Sequence, residues 1–310
     1  MTMENIIPPI SKSILEKELS DKFFFRKTNY GNNRIYIFKG NDAPNVMREI
    51  GRLREITFRD GGGGTGKSVD IDEYDICEKP YEQMIVWDPI DMEVVGGYRY
   101  IECSKAQYDE KGIPFIATTE LFNFSERFLK DYLPYTIELG RSFVQPDYQP
   151  TVNSRKGMFS LDNLWDGLGA LVIESPNIKY FFGKVTMYPH FNQKARDIIM
   201  YFLFKYFPDK DNLVKPITPL EIKTDLKELE LLFNGGNYGA DYRLLMQTMR
   251  ELNENIPPLV NAYMKLTSTM RNFGTAINPG FGNVQETGIL VTVEDIYDSK
   301  KERHISSYRK

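Results

Sequence analysis

Along the chain the apolar positions switch repeatedly between two periods. RIYIFK (Arg34–Lys39) alternates polar and apolar residues and predicts a short strand. From Asp42 to Arg59 the period becomes helical, with Val46, Ile50, Leu53 and Ile56 on one side and Asp42 as the expected cap. That helix should stop in Gly61–Gly64. YEQMIVW (Tyr81–Trp87) and EVVGGYRYI (Glu93–Ile101), joined by a DPID turn, predict a β-hairpin. Ser125–Tyr132 reads as helix, Thr136–Val144 as strand, Leu161–Glu174 as helix and Lys179–Met187 as strand. Asn192–Phe207 is helical in period and apolar on nearly all sides, as a buried helix is.

Outside this run the signals thin. Residues 1–32 predict a polar leader with one amphipathic helix around Ser11–Lys22, and residues 33–208 form the expected core. Residues 209–310 read as an extension packed on that core. It begins with a charged, Gly/Asn-rich connection, continues with helices near Asp241–Glu251 and Pro258–Met270, and passes a glycine-rich break, NFGTAINPGFGN. A last strand, GILVTVEDI (Gly288–Ile296), closes it. Strands and helices in this order predict an α/β fold, a mixed sheet with helices on both faces.

Composition narrows the chemistry. The 310 residues carry 39 Lys+Arg against 43 Asp+Glu, a net charge of −4, which lacks the basic excess of a nucleic-acid-coating protein. Two cysteines and two histidines leave no material for a disulfide framework, a metal centre or a Ser-His-Asp triad, so no metal is expected. An acidic, proline-containing N-terminus does not read as a signal peptide, and a cytoplasmic location follows as the expectation. The run Ile198–Phe207 is too short to span a bilayer.

GGGGTGKS (Gly61–Ser68) matches the phosphate-loop pattern at every specified position. The pattern functions only between a strand and a helix, where backbone N–H groups and a helix N-terminus surround phosphate. Here a helix precedes it, and VDIDEYD follows with four carboxylates that would repel phosphate. Nucleotide binding is therefore rejected in favour of a glycine loop without phosphate chemistry.

Four pieces in order carry the strongest signal: RLREITFRDGGGGTG (Arg52–Gly66), DIDEYD (Asp70–Asp75), VVGGYRY (Val94–Tyr100) and IELGRSFV (Ile137–Val144). The series resembles the hemolysin/ornithine-lipid N-acyltransferase group of GNAT-like acyltransferases, related to acyl-homoserine lactone synthases. The resemblance rests on Arg54 and Phe58, on Asp72 and Asp75, on Arg99, and on Glu138 and Arg141. LDNLWDGLGAL and YFFGKVTM extend it. It implies a GNAT-like, mostly antiparallel sheet and transfer of a long acyl chain, plain or 3-hydroxylated, from acyl carrier protein to the amine of an amino acid such as ornithine or glycine. The product is the single-chain precursor of an aminolipid. A second O-acyltransferase and a peripheral site at the inner membrane face become candidate partners, and the acyl thioester is a co-substrate rather than a bound cofactor.

The residues fit such chemistry. An amine must lose a proton before it attacks a thioester, and Glu138, Asp72 and Asp75 are the candidate bases. Strand Thr136–Val144 is expected to splay from its neighbour, exposing N–H groups near Arg141, Ser142 and Phe143 to an oxyanion and a pantetheine arm. Arg54, Arg99 and Arg141 can pair with the carboxylates or with a substrate carboxylate; the same charges could equally tie a helix to the sheet. Phe58 and Trp87 read as core or acyl-pocket lining. Tyr188 is a candidate proton donor to the leaving thiolate, and His190 reads as structural. The loop VQPDYQPTVNSRKG lacks the second glycine of a CoA-binding turn, which points to a carrier-protein donor, with Arg155 and Lys156 as weak candidates for its phosphate. An acetyl-CoA-dependent N-acetyltransferase and a non-catalytic acyl- or membrane-surface-binding protein stay open as alternatives.

Overall fold

The computed structural model describes residues 3–308. Ten strands form: β1 Phe24–Lys27, β2 Arg34–Lys39, β3 Glu82–Asp88, β4 Glu93–Glu102, β5 Phe122–Phe124, β6 Thr136–Val144, β7 Tyr180–Met187, β8 Val214–Pro216, β9 Arg271–Asn278 and β10 Val284–Thr292. Eight of them build one sheet in the order β1-β2-β3-β4-β6-β7-β10-β9, and β5 pairs with β8 in a separate ribbon. Every neighbouring pair in the large sheet is antiparallel except β6 with β7.

The helices are α1 Lys12–Glu18, α2 Pro44–Asp60, α3 Glu73–Ile76, α4 Ser154–Gly157, α5 Ser160–Glu174, α6 Gln193–Tyr206, α7 Leu226–Leu232, α8 Tyr238–Glu251, α9 Pro258–Met264 and α10 Asp298–His304. On one face, α2 buries Val46, Ile50, Leu53 and Phe58 against Tyr36, Ile85 and Trp87. On the other, α5 and α6 pack Leu164, Leu168, Ile198, Phe202 and Leu203 against Met84, Ile137, Leu139 and Val185. The fold is therefore the mixed α/β sheet with helices on both faces that the apolar periods predict.

Two local expectations are corrected. Asp42 does not cap α2; it ends a 3₁₀ turn, and no side chain of Ala43 is available at the cap position. Glu18 at the end of α1 takes that role, accepting from Val46 N–H at 2.6 Å and Asn45 Nδ2 at 3.0 Å. The glycine-rich stretch before the last strand is itself mostly strand, β9. Polar Thr275 and Asn278 are buried there beside apolar Phe273 and Ala276, so no apolar alternation marks the strand: Thr275 bonds the Thr287 hydroxyl at 2.7 Å, and Asn278 Nδ2 donates to Glu286 at 2.9 Å. Gly274, at φ +88, sits across from a register shift between Thr287 and Ile289, as a strand bulge requires.

One irregularity shapes everything near the site. β6 pairs with β7 only from Thr136 to Leu139, against Tyr180 to Gly183. Beyond Leu139 the two strands separate, as the splayed strand was expected to do. On its other edge β6 pairs with β4 through a register shift between Gly97 and Arg99, and Arg141 lies there at φ +48. Such a bulge inserts one residue and reverses which face later side chains occupy. Leu139 consequently packs on the α5/α6 side, while Phe143, four residues on, joins Phe58 and Trp87 on the α2 side. The glycines of VVGGY make room for this. A Cβ on Gly96 would stand 2.4 Å from the Phe143 carbonyl oxygen. Gly96→Ala should therefore destabilise the fold by about 1–3 kcal/mol, the cost of overpacking, read as a lower denaturation midpoint with unchanged slope.

Candidate active site

Arg54 and Phe58 lie four residues apart on α2 and so share one face of the helix. Arg54 is completely buried, with Nη1 3.2 Å from Asp75 and Nη2 donating to Gln83 Oε1 at 2.6 Å. Asp72 caps the single turn α3, accepting from Tyr74 N–H at 3.1 Å, and Asp75 reaches back to Asp72 N–H. That capping box aims both carboxylates at the sheet. Arg99 Nη1 meets Asp72 at 2.5 Å and Asp75 at 3.2 Å, with its guanidinium over the rings of Tyr74 and Tyr81. Arg141 completes the set, pairing with Asp70 at 2.8 Å and Asp72 at 3.3 Å and lying 4.3 Å from the Phe281 ring centre.

Three arginines and three aspartates thus interlock on the α2 face of the sheet. Burial opposes charge on Asp75, but Arg54 and Arg99 outweigh it and hold the carboxyl well below its usual range. Burial pushes the Asp70 carboxyl up despite Arg141. Arg99 stays firmly protonated: burial works against its charge, and Asp75 and Asp72 more than offset it.

Glu138, one step towards the splay, stands apart from this network. It is 1% exposed, receives the Tyr81 hydroxyl on Oε2, and accepts Thr118 N–H on Oε1 at 2.8 Å. Burial raises its proton affinity above that of an ordinary carboxylate. A cavity of about 430 Å³ opens where β6 and β7 part. Glu138, Arg99, Lys184 and Glu286 line it on the α2 face, Leu161, Phe191 and Ile256 on the other, and Gly140–Val144 run along its edge with no strand partner from β7. Lys184 pairs with Glu286 at 3.0 Å. The charged end of the cavity therefore offers both signs at close quarters, the pattern that suits a small zwitterion.

The structure brings Phe58, Arg99, Glu138, Arg141, Ser142 and Phe143 together around this cavity, with Tyr188 and His190. Arg54, Asp72 and Asp75 lie behind it, holding Arg99 and Arg141. Trp87 is core. Arg155 and Lys156 are on α4, away from the cavity lining, and Lys156 pairs with Asp91 at 2.5 Å over the Tyr148 ring. Tyr81, Thr118, Lys184 and Glu286 escaped the sequence reading. A lysine inside the otherwise apolar KYFFGKVTM was the one available signal; the others come together only through the sheet.

The phosphate-loop match finds its explanation here. Thr65 N–H and hydroxyl and Gly66 N–H donate to the fully buried carboxylate of Glu55 at 3.1, 2.7 and 2.8 Å, and Arg59 Nε adds a fourth bond at 2.7 Å. The loop does surround an anion, but an internal one. α2 precedes it and only the single turn α3 follows, so the strand–loop–helix context is missing.

Replacing Asp75 by Ala strands two buried guanidinium groups and should cost about 3–5 kcal/mol. Its depressed pKa means that the wild-type contribution is present above the unfolded value near pH 4 and fades as pH falls below it. Acid unfolding of wild type and variant should therefore converge at low pH, as followed by circular dichroism.

Comparison with known proteins places the chain in a family. The acetyltransferase (GNAT) domain profile matches residues 53–155, the span holding Arg54, Asp72, Asp75, Arg99, Glu138 and Arg141. The chain is 59% identical over 308 residues to a glycine N(alpha)-acyltransferase of Phocaeicola vulgatus, covering 99% of this chain and 94% of that protein. It is 56% identical over 306 residues to one of Bacteroides thetaiotaomicron, covering 99% of this chain and 91% of that protein. Among solved structures, a CoA-dependent acyl-homoserine lactone synthase, BjaI, aligns over 76% of this chain and 66% of its own at 11% identity and a TM-score of 0.29. The chain is an N-acyltransferase, and it belongs to the glycine N(alpha)-acyltransferase family of GNAT enzymes.

Proposed function

We propose that the protein transfers a long acyl chain from acyl carrier protein to the amine of glycine, making the single-chain precursor of an aminolipid. The observation that carries this reading is Glu138, buried beside Arg99 and Lys184 at the point where β6 and β7 part. Glycine arrives as a zwitterion. Arg99 and Lys184 attract its carboxylate, and Glu138 takes a proton from its ammonium group. The neutral nitrogen then attacks the thioester carbonyl, forming the C–N bond. Unpaired N–H groups along Gly140–Val144 hold the oxyanion. The C–S bond breaks, the nitrogen gives up its second proton to become the amide N–H, and the thiolate takes up that proton to leave as free carrier thiol. Asp72 and Asp75, expected as candidate bases, act in this reading as positioning residues through Arg99 and Arg141.

The donor arm runs through the splay, pairing with the open edge of β6 as an added strand would. A carrier-protein donor is favoured because the loop before α5 lacks the second glycine of a CoA turn. Family membership supports glycine as acceptor, since both relatives are named for it. A single-chain product leaves the second acylation to another acyltransferase, with the work done at the cytoplasmic membrane surface. None of the described helices is long and apolar enough to cross a membrane.

Glu138→Gln should keep the fold and lower kcat by roughly 10²–10⁴-fold, the usual contribution of a general base. The wild-type pH–rate profile should show an acid limb displaced upward from the ordinary glutamate range near pH 4.3, lost in the variant. Mass spectrometry of products from 3-hydroxypalmitoyl carrier protein and from acetyl-CoA, each with a panel of amino acids, tests donor and acceptor together. Acyl-glycine from the carrier thioester is the expected product.

A further inference from the structure

The glycine loop has no role in the chemistry above, yet it touches the cavity wall. A Cβ built on Gly61 would stand 2.6 Å from Tyr188 Cζ and 2.9 Å from its Oη. One on Gly62 would stand 2.9 Å from His190 Nδ1, and one on Gly63 3.1 Å from Tyr188 Cε1. Real side chains do not tolerate such approaches, so the two rings occupy space that any residue but glycine would fill. Their planes are 6° apart, with centres 6.1 Å apart. Three hydrogen bonds from Thr65 and Gly66 to Glu55 tie the loop to α2, and its turn needs positive φ at Gly62 and Gly64, +86 and +94. The rings therefore rest on fixed backbone.

Tyr188 lies four residues beyond Lys184, on the same face of the sheet by strand alternation, and both rings line the cavity. An amino acid with its amine at Glu138 and its carboxylate at Arg99 and Lys184 has its α-carbon between them. Below it β6 and β7 close together at Leu139 and Gly183, and the thioester occupies the splay. A side chain on that carbon could project only along the α2 face, where Tyr188 and His190 stand.

We infer that Tyr188 and His190, seated on the bare backbone of Gly61–Gly63, set the size of the acceptor and so select glycine over larger amino acids. The inference rests on the reading of the charged end as the acceptor site. A wall braced against backbone rejects an added methyl group because it cannot yield, whereas a pliable pocket discriminates weakly.

The test is steady-state acylation by the full chain, with 3-hydroxypalmitoyl carrier protein and glycine, alanine or serine. Tyr188→Ala should lower the ratio of kcat/KM for glycine over alanine by roughly tenfold or more, the scale of a one-carbon contact. Gly61→Ala, which must drive the ring into the cavity, should instead raise the KM for glycine several-fold. If Tyr188→Ala fails to fold, Tyr188→Leu and His190→Ala carry the same measurement. Folded variants in which glycine and alanine turnover fall together, at an unchanged ratio, overturn the inference. Wild-type protein that acylates serine or alanine as readily as glycine overturns it as well. Wild-type protein that acylates no amino acid from any thioester overturns the acceptor reading itself, and the two failures are thereby separate.

Discussion

Arg99 carries a charge where water scarcely reaches: it is 1% exposed. Removing a guanidinium from water costs several kcal/mol, recovered only through close opposite charges with good geometry. Asp72 and Asp75 supply them from α3, Arg54 answers Asp75 from α2, and Arg141 answers Asp72 from β6. Arg99, Asp72 and Asp75 each bind two of the others, and the set fixes α2, α3, β4 and β6 relative to one another. Taking out one carboxylate leaves an uncompensated buried cation. The network thereby holds Arg99 and Arg141 at the cavity wall.

The frame gives the splay its chemistry. A regular β6 would have kept Leu139 and Phe143 on one face. The bulge at Arg141 sends Leu139 to the α5/α6 core, Phe143 to the α2 core, and the guanidinium of Arg141 to Asp70 and Asp72. A non-glycine residue at positive φ is strained, and such strain persists where surrounding contacts over-determine it. Here two carboxylates and the Phe281 ring do so. Past the bulge, β6 offers an edge with no partner from β7, beside the buried carboxylate of Glu138.

The C-terminal third of the chain belongs to this same construction. β10 lies between β7 and β9 and places Glu286 against Lys184, while Ile256 and its neighbours wall the far side of the cavity. The glycine loop, far away in sequence from both, meets Tyr188 and His190 at its near side. Charged floor, open strand edge and aromatic wall thus come from separate stretches of the sequence, brought together by one sheet.

Much of this was legible beforehand. Period and turn residues located α2, β2, β3, β4, β6, β7 and α6 to within a few residues, because each buries an apolar face that must repeat at the element's own period. The ordered Arg, Asp and Glu positions marked the region of the site, and the missing strand–loop–helix context disposed of the phosphate loop. Where burial is polar the pattern fails: β9 hides Thr275 and Asn278, whose partners Thr287 and Glu286 lie on another strand. Likewise Asp42 has the right chemistry for a cap, but Glu18 reaches the helix from outside its own segment. The sequence by itself determined which segments are strands and helices and which charges must find partners, since period and desolvation act on each residue locally. Only the tertiary structure decided that Glu138 faces the cavity while Asp72 and Asp75 stand behind it, and that four glycines serve a carboxylate and two rings, because those outcomes depend on contacts between segments far apart in the chain.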